Sequence, residues 1–235
     1  MIELSIENAA CYLNTAGMGS GPWRVTVLGG GISNTVLLVE SGSCRFVLKQ
    51  ALGKLRVEQD WFSDRRRILR ESRAMRALKP HFPPGAVPEI LFEDRTNLIF
   101  AMSAAPEDAK TWKELLLAGE VDFEVAEQAG RMLASMVRIS WKRPEWEEAY
   151  GDQTVFEQLR LDPYYRTTAS RHPELGAHFT RLIEESRARR VSLVHGDWSP
   201  KNFLVSQGAM LAIDFEVIHF GDPAFDSAFL LNHLL

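Results

Sequence analysis

The chain has 235 residues, 46% of them apolar and 25% charged, with a formal net charge of -4 at pH 7. That balance excludes a disordered, collagenous or fibrous polypeptide and leaves room for one large domain or two small lobes. Its mild acidity argues against a nucleic-acid partner, which requires a broad Lys/Arg surface, and no apolar run approaches the ~20 residues that span a bilayer.

Residues 1–7 carry acids where a secretory signal would carry basic residues, so the expectation is a cytoplasmic protein with no membrane partner. Residues 24–28, 35–40 and 44–50 are rich in β-branched and aromatic side chains and read as three antiparallel strands, joined by Gly29-Gly30-Gly31 and Ser41-Gly42-Ser43. Cys11 and Cys44 lack any paired spacing and read as reduced thiols. A helix is predicted over 59–78, with Ile68, Ser72, Met75 and Lys79 on one stripe and Pro80 as its stop. Its basic run, Arg65 to Arg67, reads as a solvated face, and Arg67 lies one turn from Glu71.

Two further strands are expected at 89–92 and 97–102, around the polar turn Asp94-Arg95-Thr96. Residues 103–108, with Pro106 among them, form the natural junction to a region dominated by helices at 121–137 and 175–189. Between these, 161–165 read as a Pro-anchored turn with packed tyrosines. Short strands return at 191–194, 203–205 and 210–213. The expected fold is therefore α+β and two-lobed, with an antiparallel-sheet N-lobe over 1–103 and a mainly helical C-lobe over 104–235.

The late strands frame a polar loop, His195-Gly196-Asp197-Trp198-Ser199-Pro200-Lys201-Asn202, and Asp214 follows in Ala212-Ile213-Asp214-Phe215-Glu216. A hairpin there would bring Asp197, Asn202 and Asp214 together. Phosphoryl transfer needs a carboxylate beside the acceptor hydroxyl and hard oxygen ligands for Mg²⁺ at the nucleotide phosphates, which these three side chains could supply. Singly, each is also a common turn residue.

This loop and residues 213–226 resemble the aminoglycoside phosphotransferase and choline-kinase-like branch of the protein-kinase-like superfamily, which uses His-Gly-Asp with an Asn five residues after the Asp. The resemblance implies an ATP-dependent kinase that phosphorylates a hydroxyl of a small molecule. It implies Asp197 as catalytic base, Asn202 and Asp214 as Mg²⁺ ligands, and Asp226 as a brace for the catalytic loop. Read on its own residues, Asp226 heads an apolar run and could equally cap a helix. His195 is expected to fix loop geometry by hydrogen bonding.

On the same resemblance Lys49, ending Val47-Leu48-Lys49, contacts the nucleotide phosphates and pairs with Glu71. The segment 28–35 would approach the phosphates through Gly29, Gly30, Gly31, Ser33 and Asn34, although it lacks the P-loop ending and a Gly-rich hairpin turn would also account for it. Adenine would be held by backbone groups at 101–104, including Met102 and Ala104. Relatives usually continue with helices that wall the acceptor pocket, so the expectation is a chain truncated at its apolar C-terminus.

The acceptor stays open among an aminoglycoside, a sugar, an amino alcohol and an amino acid, as does the oligomeric state. Two other readings stand beside the kinase: a catalytically inert nucleotide-binding module, and a Mg²⁺-dependent phosphohydrolase using the same carboxylates.

Overall fold

The computed structural model describes residues 2–19, 21–29, 31–58 and 60–235. Its first half is built on a five-stranded antiparallel sheet of β1 (Arg24–Val27), β2 (Asn34–Ser41), β3 (Cys44–Ala51), β4 (Ile90–Asp94) and β5 (Ile99–Ser103). The spatial order β1-β2-β3-β5-β4 departs from a simple meander, because the second hairpin returns to lay β5 beside β3.

The period-2 alternation of these strands feeds two cores. Leu37, Val39, Phe46, Leu48, Ile99 and Ala101 meet α1 (Ile6–Thr15) through its Ala9, Tyr12 and Leu13. Val47, Phe100 and Met102 point the other way, onto Ile68, Met75 and Leu78 of α2 (Arg67–Leu78). Sequence reading missed α1, whose buried stripe spans a single turn. Gln50 ties its approach to the sheet, accepting from the Leu4 N–H at 2.7 Å and donating to Ile2 O at 2.9 Å.

The helix expected over 59–78 begins only at Arg67. Asp64 accepts the Arg66 N–H at 2.8 Å in a turn just before it, and Lys54 bridges Phe62 in extended chain upstream. Lys79, placed in the helical stripe, falls in the short turn Lys79–His81. The basic run is not a uniform solvated face either. Arg66 is exposed, whereas Arg67 is 1% exposed and bonded to Glu216, not Glu71.

The second half carries β6 (Lys110–Thr111), α3 (Trp112–Leu117), α4 (Phe123–Ser140), α5 (Pro144–Tyr150) and α6 (Thr154–Phe156). A π-helical stretch over Glu157–Arg166 follows and runs into α7 (Thr167–Arg171), so Pro163 sits inside wide helical turns and not at an isolated turn. Then come α8 (Gly176–Ala188), β7 (Ser192–Val194), β8 (Phe203–Ser206), β9 (Ala209–Ala212), β10 (His219–Gly221) and α9 (Ala224–Leu234).

The β8–β9 hairpin turns at Gln207 and Gly208, both left-handed at φ 49° and 75°, as a tight hairpin requires. The β7–β10 pair brings the segment before Asp197 against the segment after Asp214. Among the described residues no helix is long and apolar enough to cross a membrane.

Candidate active site

Lys49 extends from β3 on the face that packs against α2, 4% exposed. Its Nζ lies 2.7 Å from Glu71 Oε1 and 2.6 Å from Asp214 Oδ1. Burial opposes the ammonium charge, but Asp214 and Glu71 outweigh it and hold Lys49 above the ordinary lysine range. Burial pushes Glu71 up to about 7 against the attraction of Lys49. Asp214 is held below the usual carboxylate range, because Lys49 more than offsets its desolvation. Asp214 is left-handed at φ 67°, a conformation that Asp tolerates better than most residues.

The polar loop wraps around the same point. Gly196 has φ 78°, and a Cβ there would sit 2.7 Å from Val217 Cγ1 and 3.0 Å from Val217 O. Gly196→Ala should therefore cost about 2–4 kcal/mol from backbone strain and overlap, measurable by urea unfolding; a variant as stable as wild type would contradict the geometry. The fully buried Asp226 accepts the N–H groups of His195 at 2.6 Å and Gly196 at 2.9 Å. It lies within the first turn of α9, whose N-cap is Pro223, so helix capping does not describe its bonds. His195 Nδ1 accepts the Asp197 N–H at 3.2 Å, the loop-shaping hydrogen bond expected of it.

Asp197 is 3% exposed, and its Oδ2 faces Lys201 Nζ at 2.9 Å and Arg160 Nη2 at 3.1 Å. Desolvation would raise this carboxyl, but Arg160 and Lys201 hold it below the usual range. Asn202 donates Nδ2 to Asp197 O at 2.8 Å, which fixes its rotamer and leaves Oδ1 without a hydrogen bond among the described residues.

Glu216 joins the halves of the molecule. It accepts from Ser33 Oγ at 2.8 Å, Asn34 Nδ2 at 2.9 Å and Arg67 Nε at 2.8 Å. The side chains of Ser33 and Asn34 are thus turned to Glu216.

Gly29, Gly31, Ser33, Asn34, Lys49, Met102, Ala104, Asp197, Asn202 and Asp214 all line one cleft of about 640 Å³, within the range of small-molecule sites. Glu71 lies behind Lys49 outside that lining, and Gly30 lies outside the described residues. Neither Gly29 nor Gly31 has a left-handed φ, and added Cβ atoms would meet nothing closer than 3.5 Å. A larger cavity of about 920 Å³ lies behind the 103–106 segment, but it holds none of the convergent carboxylates. Tyr164 lines the cleft, whereas Asp162 bonds to Arg166 outside it.

Sequence reading did not single out Arg160, Lys201, Glu216 or Arg67 for the site. Lys201 and Glu216 had a signal, since they sit inside the two motifs. Arg160 and Arg67 had none, because their partners lie 36 and 149 positions away.

Two buried imidazoles support the loop. His195 sits edge-on to Phe215 with centroids 4.6 Å apart, and His219 stacks on Phe156 at 4.1 Å. Burial lowers both to about 4. The unfolded chain takes up these protons near 6.5, so the stability held by the neutral imidazoles is intact above that pH and drains as pH falls towards 4, about 2 kcal/mol each by pH 5. Glu71 and Asp226, both raised to about 7, act with the opposite sign, so the check is made residue by residue. An NMR titration should place both rings near pH 4; midpoints above 6 would contradict their burial as neutral groups.

A five-stranded antiparallel sheet facing a helical part across a charged cleft is the kinase-like fold of the aminoglycoside phosphotransferases and choline kinases. The chain belongs to the phosphotransferase enzyme family (APH), whose model matches residues 24–235. Among curated proteins none matches its sequence.

Solved structures share the fold at low identity. The choline/ethanolamine kinase family protein from Mesorhizobium loti is 17% identical with a TM-score of 0.62, over 97% of this chain and 69% of that one. The amicoumacin kinase hAmiN, in complex with AMP-PNP, Ca²⁺ and Ami, is 19% identical with a TM-score of 0.62, over 97% and 69%. The streptomycin–ATP–APH(2")-IIa ternary complex is 16% identical with a TM-score of 0.57, over 96% and 75%.

Proposed function

We propose that this protein is an ATP-dependent phosphotransferase that moves the γ-phosphoryl group to a hydroxyl of a small molecule. The observation that carries the reading is Lys49 held between Glu71 and Asp214, facing Asp197 and Asn202 across one cleft. In this reading residues 1–103 form the nucleotide-binding lobe and 104–235 the catalytic lobe.

Met102 and Ala104 border the adenine end, where backbone groups suffice for recognition. Gly29, Gly30 and Gly31 let the chain approach the phosphates, with Ser33 and Asn34 anchoring that segment through Glu216. Lys49 binds the α- and β-phosphates, and Glu71 keeps its ammonium in place.

The residues present fit a divalent cation. Among the described residues no three His, Cys, Asp or Glu side chains form a metal cluster. The cleft instead offers Asn202 Oδ1 and Asp214 Oδ2, two hard oxygens that take no hydrogen bond among the described residues, a set suited to an ion that keeps much of its water. Mg²⁺ bound there would neutralise charge on the nucleotide phosphates. Asp197 orients the acceptor hydroxyl and takes its proton as the new O–P bond forms and the bond to ADP breaks.

Thermal denaturation tests the nucleotide half of this reading. ATP with Mg²⁺ should raise Tm, and Asp214→Asn should remove most of that shift by deleting a charged ligand. A shift retained in full would refute the Asp214 assignment. A screen of hydroxyl-bearing acceptors for ATP-dependent mass gain of one phosphoryl group then tests transfer; phosphate release from phosphoesters without nucleotide would favour a hydrolase.

A further inference from the structure

The two oxygens of Asp197 have different surroundings. Oδ2 receives both Lys201 and Arg160, at 2.9 and 3.1 Å. Oδ1 is buried and has no hydrogen-bond partner among the described residues. Leaving a buried acceptor unpaired is costly, so a structure that keeps one beside two cations leaves room for an incoming donor.

Arg160 creates this asymmetry, and its own position is fixed from several sides. It is 7% exposed. Its Nε donates to Gly196 O, and its Nη1 donates to Leu159 O at 2.6 Å. The guanidinium also contacts the rings of Tyr164 and Phe229, with centroids 5.9 and 5.8 Å away. Planar stacking and a forked donor set are what distinguish arginine from lysine in such a place. The π-helical stretch supplies Arg160, the loop supplies Gly196 and Asp197, and α9 supplies Phe229.

We propose that Arg160 is a positioning residue that locks the rotamer of Asp197 through Oδ2 and thereby reserves Oδ1 for the hydroxyl that is phosphorylated. The proposal rests on the phosphotransfer reading above. Lys201 is half exposed on its side chain, whereas Arg160 is buried and held by several partners. With Arg160 gone, Asp197 keeps its charge partner Lys201 but loses the buried ion pair that is itself anchored to Gly196 O and Leu159 O. An ångström of drift at a base is worth up to about a hundredfold in rate.

The test uses slow hydrolysis of Mg²⁺-ATP, in which water stands in for the unknown acceptor and gives its proton to the same oxygen. Arg160→Met should lower this turnover about 10- to 100-fold while the affinity for Mg²⁺-ATP, read by calorimetry, stays within about twofold. Arg160→Lys should fall between the two, because one ammonium cannot serve Gly196 O and Asp197 Oδ2 in the same fork. Arg160→Ala opens space for a guanidinium, and added ethylguanidinium should restore part of its turnover while leaving wild type unchanged.

If an Arg160 variant fails to fold, Phe229→Leu, which removes a stacking ring that lies outside the cleft lining, should reproduce part of the loss in turnover with nucleotide affinity intact. Wild-type turnover in Arg160→Met, equal loss of nucleotide affinity, or no response to ethylguanidinium would each overturn the positioning role. A wild-type protein that neither binds nor turns over Mg²⁺-ATP would instead bring down the phosphotransfer reading, and this inference with it.

Discussion

Asp197→Asn should slow phosphoryl transfer by about 10²- to 10⁴-fold while sparing the Tm shift produced by Mg²⁺-ATP. Asparagine keeps the size of the side chain and still presents a carbonyl oxygen to Arg160 and Lys201, so the loop should hold its shape. It has no carboxylate with which to take a proton, however, and an amide NH₂ would point where Oδ1 now lies. Lys49 and the Asn202–Asp214 pair are untouched by the change, which is why nucleotide binding should survive. Single-turnover transfer to any acceptor found in the screen gives the reading. A rate within tenfold of wild type would remove Asp197 from the role of base and force the proton elsewhere.

The second large effect concerns stability. Arg67→Met should destabilise the protein by about 3–5 kcal/mol, which for a chain of this size lowers Tm by about 6–20 °C. Arg67 donates from a fully buried position to Glu216 at 2.8 Å, to Leu52 O at 2.9 Å, to Asp64 O at 3.0 Å and to Ser33 O. Methionine would fill most of the space but leave Glu216 buried with only Ser33 and Asn34 as donors. The further change Glu216→Leu should recover part of the loss, because replacing both members of a buried pair removes the uncompensated charge. If Arg67→Met alone melts within 3 °C of wild type, the contact between Arg67 and Glu216 does not hold the halves together.

The five strands of the first sheet were legible because each carries a short β-branched or aromatic run bounded by turn residues. Hairpin 203–212 was legible for the same reason. Their spatial order was not, since nothing local distinguishes a meander from one whose last hairpin folds back beside β3. Helix α1 escaped because only Ala9, Tyr12 and Leu13 mark its buried face. The start of α2 was misplaced because residues 60–66 carry helix-compatible types, yet 61–63 run extended against 53–55 and 64–66 make a turn before the helix. The π-helical stretch contains Pro163, which in sequence reads as a breaker; the wide turns accommodate it.

Asp197, Asn202 and Asp214 could be picked out from the sequence because a hairpin confines all three to one short stretch, where spacing alone brings oxygens together. Lys49 and Glu71 came only through resemblance, and their pairing is a matter of strand register and helix phase. What the amino-acid order determined by itself is therefore the local chemistry: which loop carries the carboxylates, where the glycines fall, which strands exist. Tertiary structure alone decided which charges are neutralised and by whom. Arg67 and Arg160 look like ordinary surface arginines in the sequence, and they become buried fixtures only when elements far along the chain close over them, since Coulomb attraction depends on distance in space and leaves no period in the sequence.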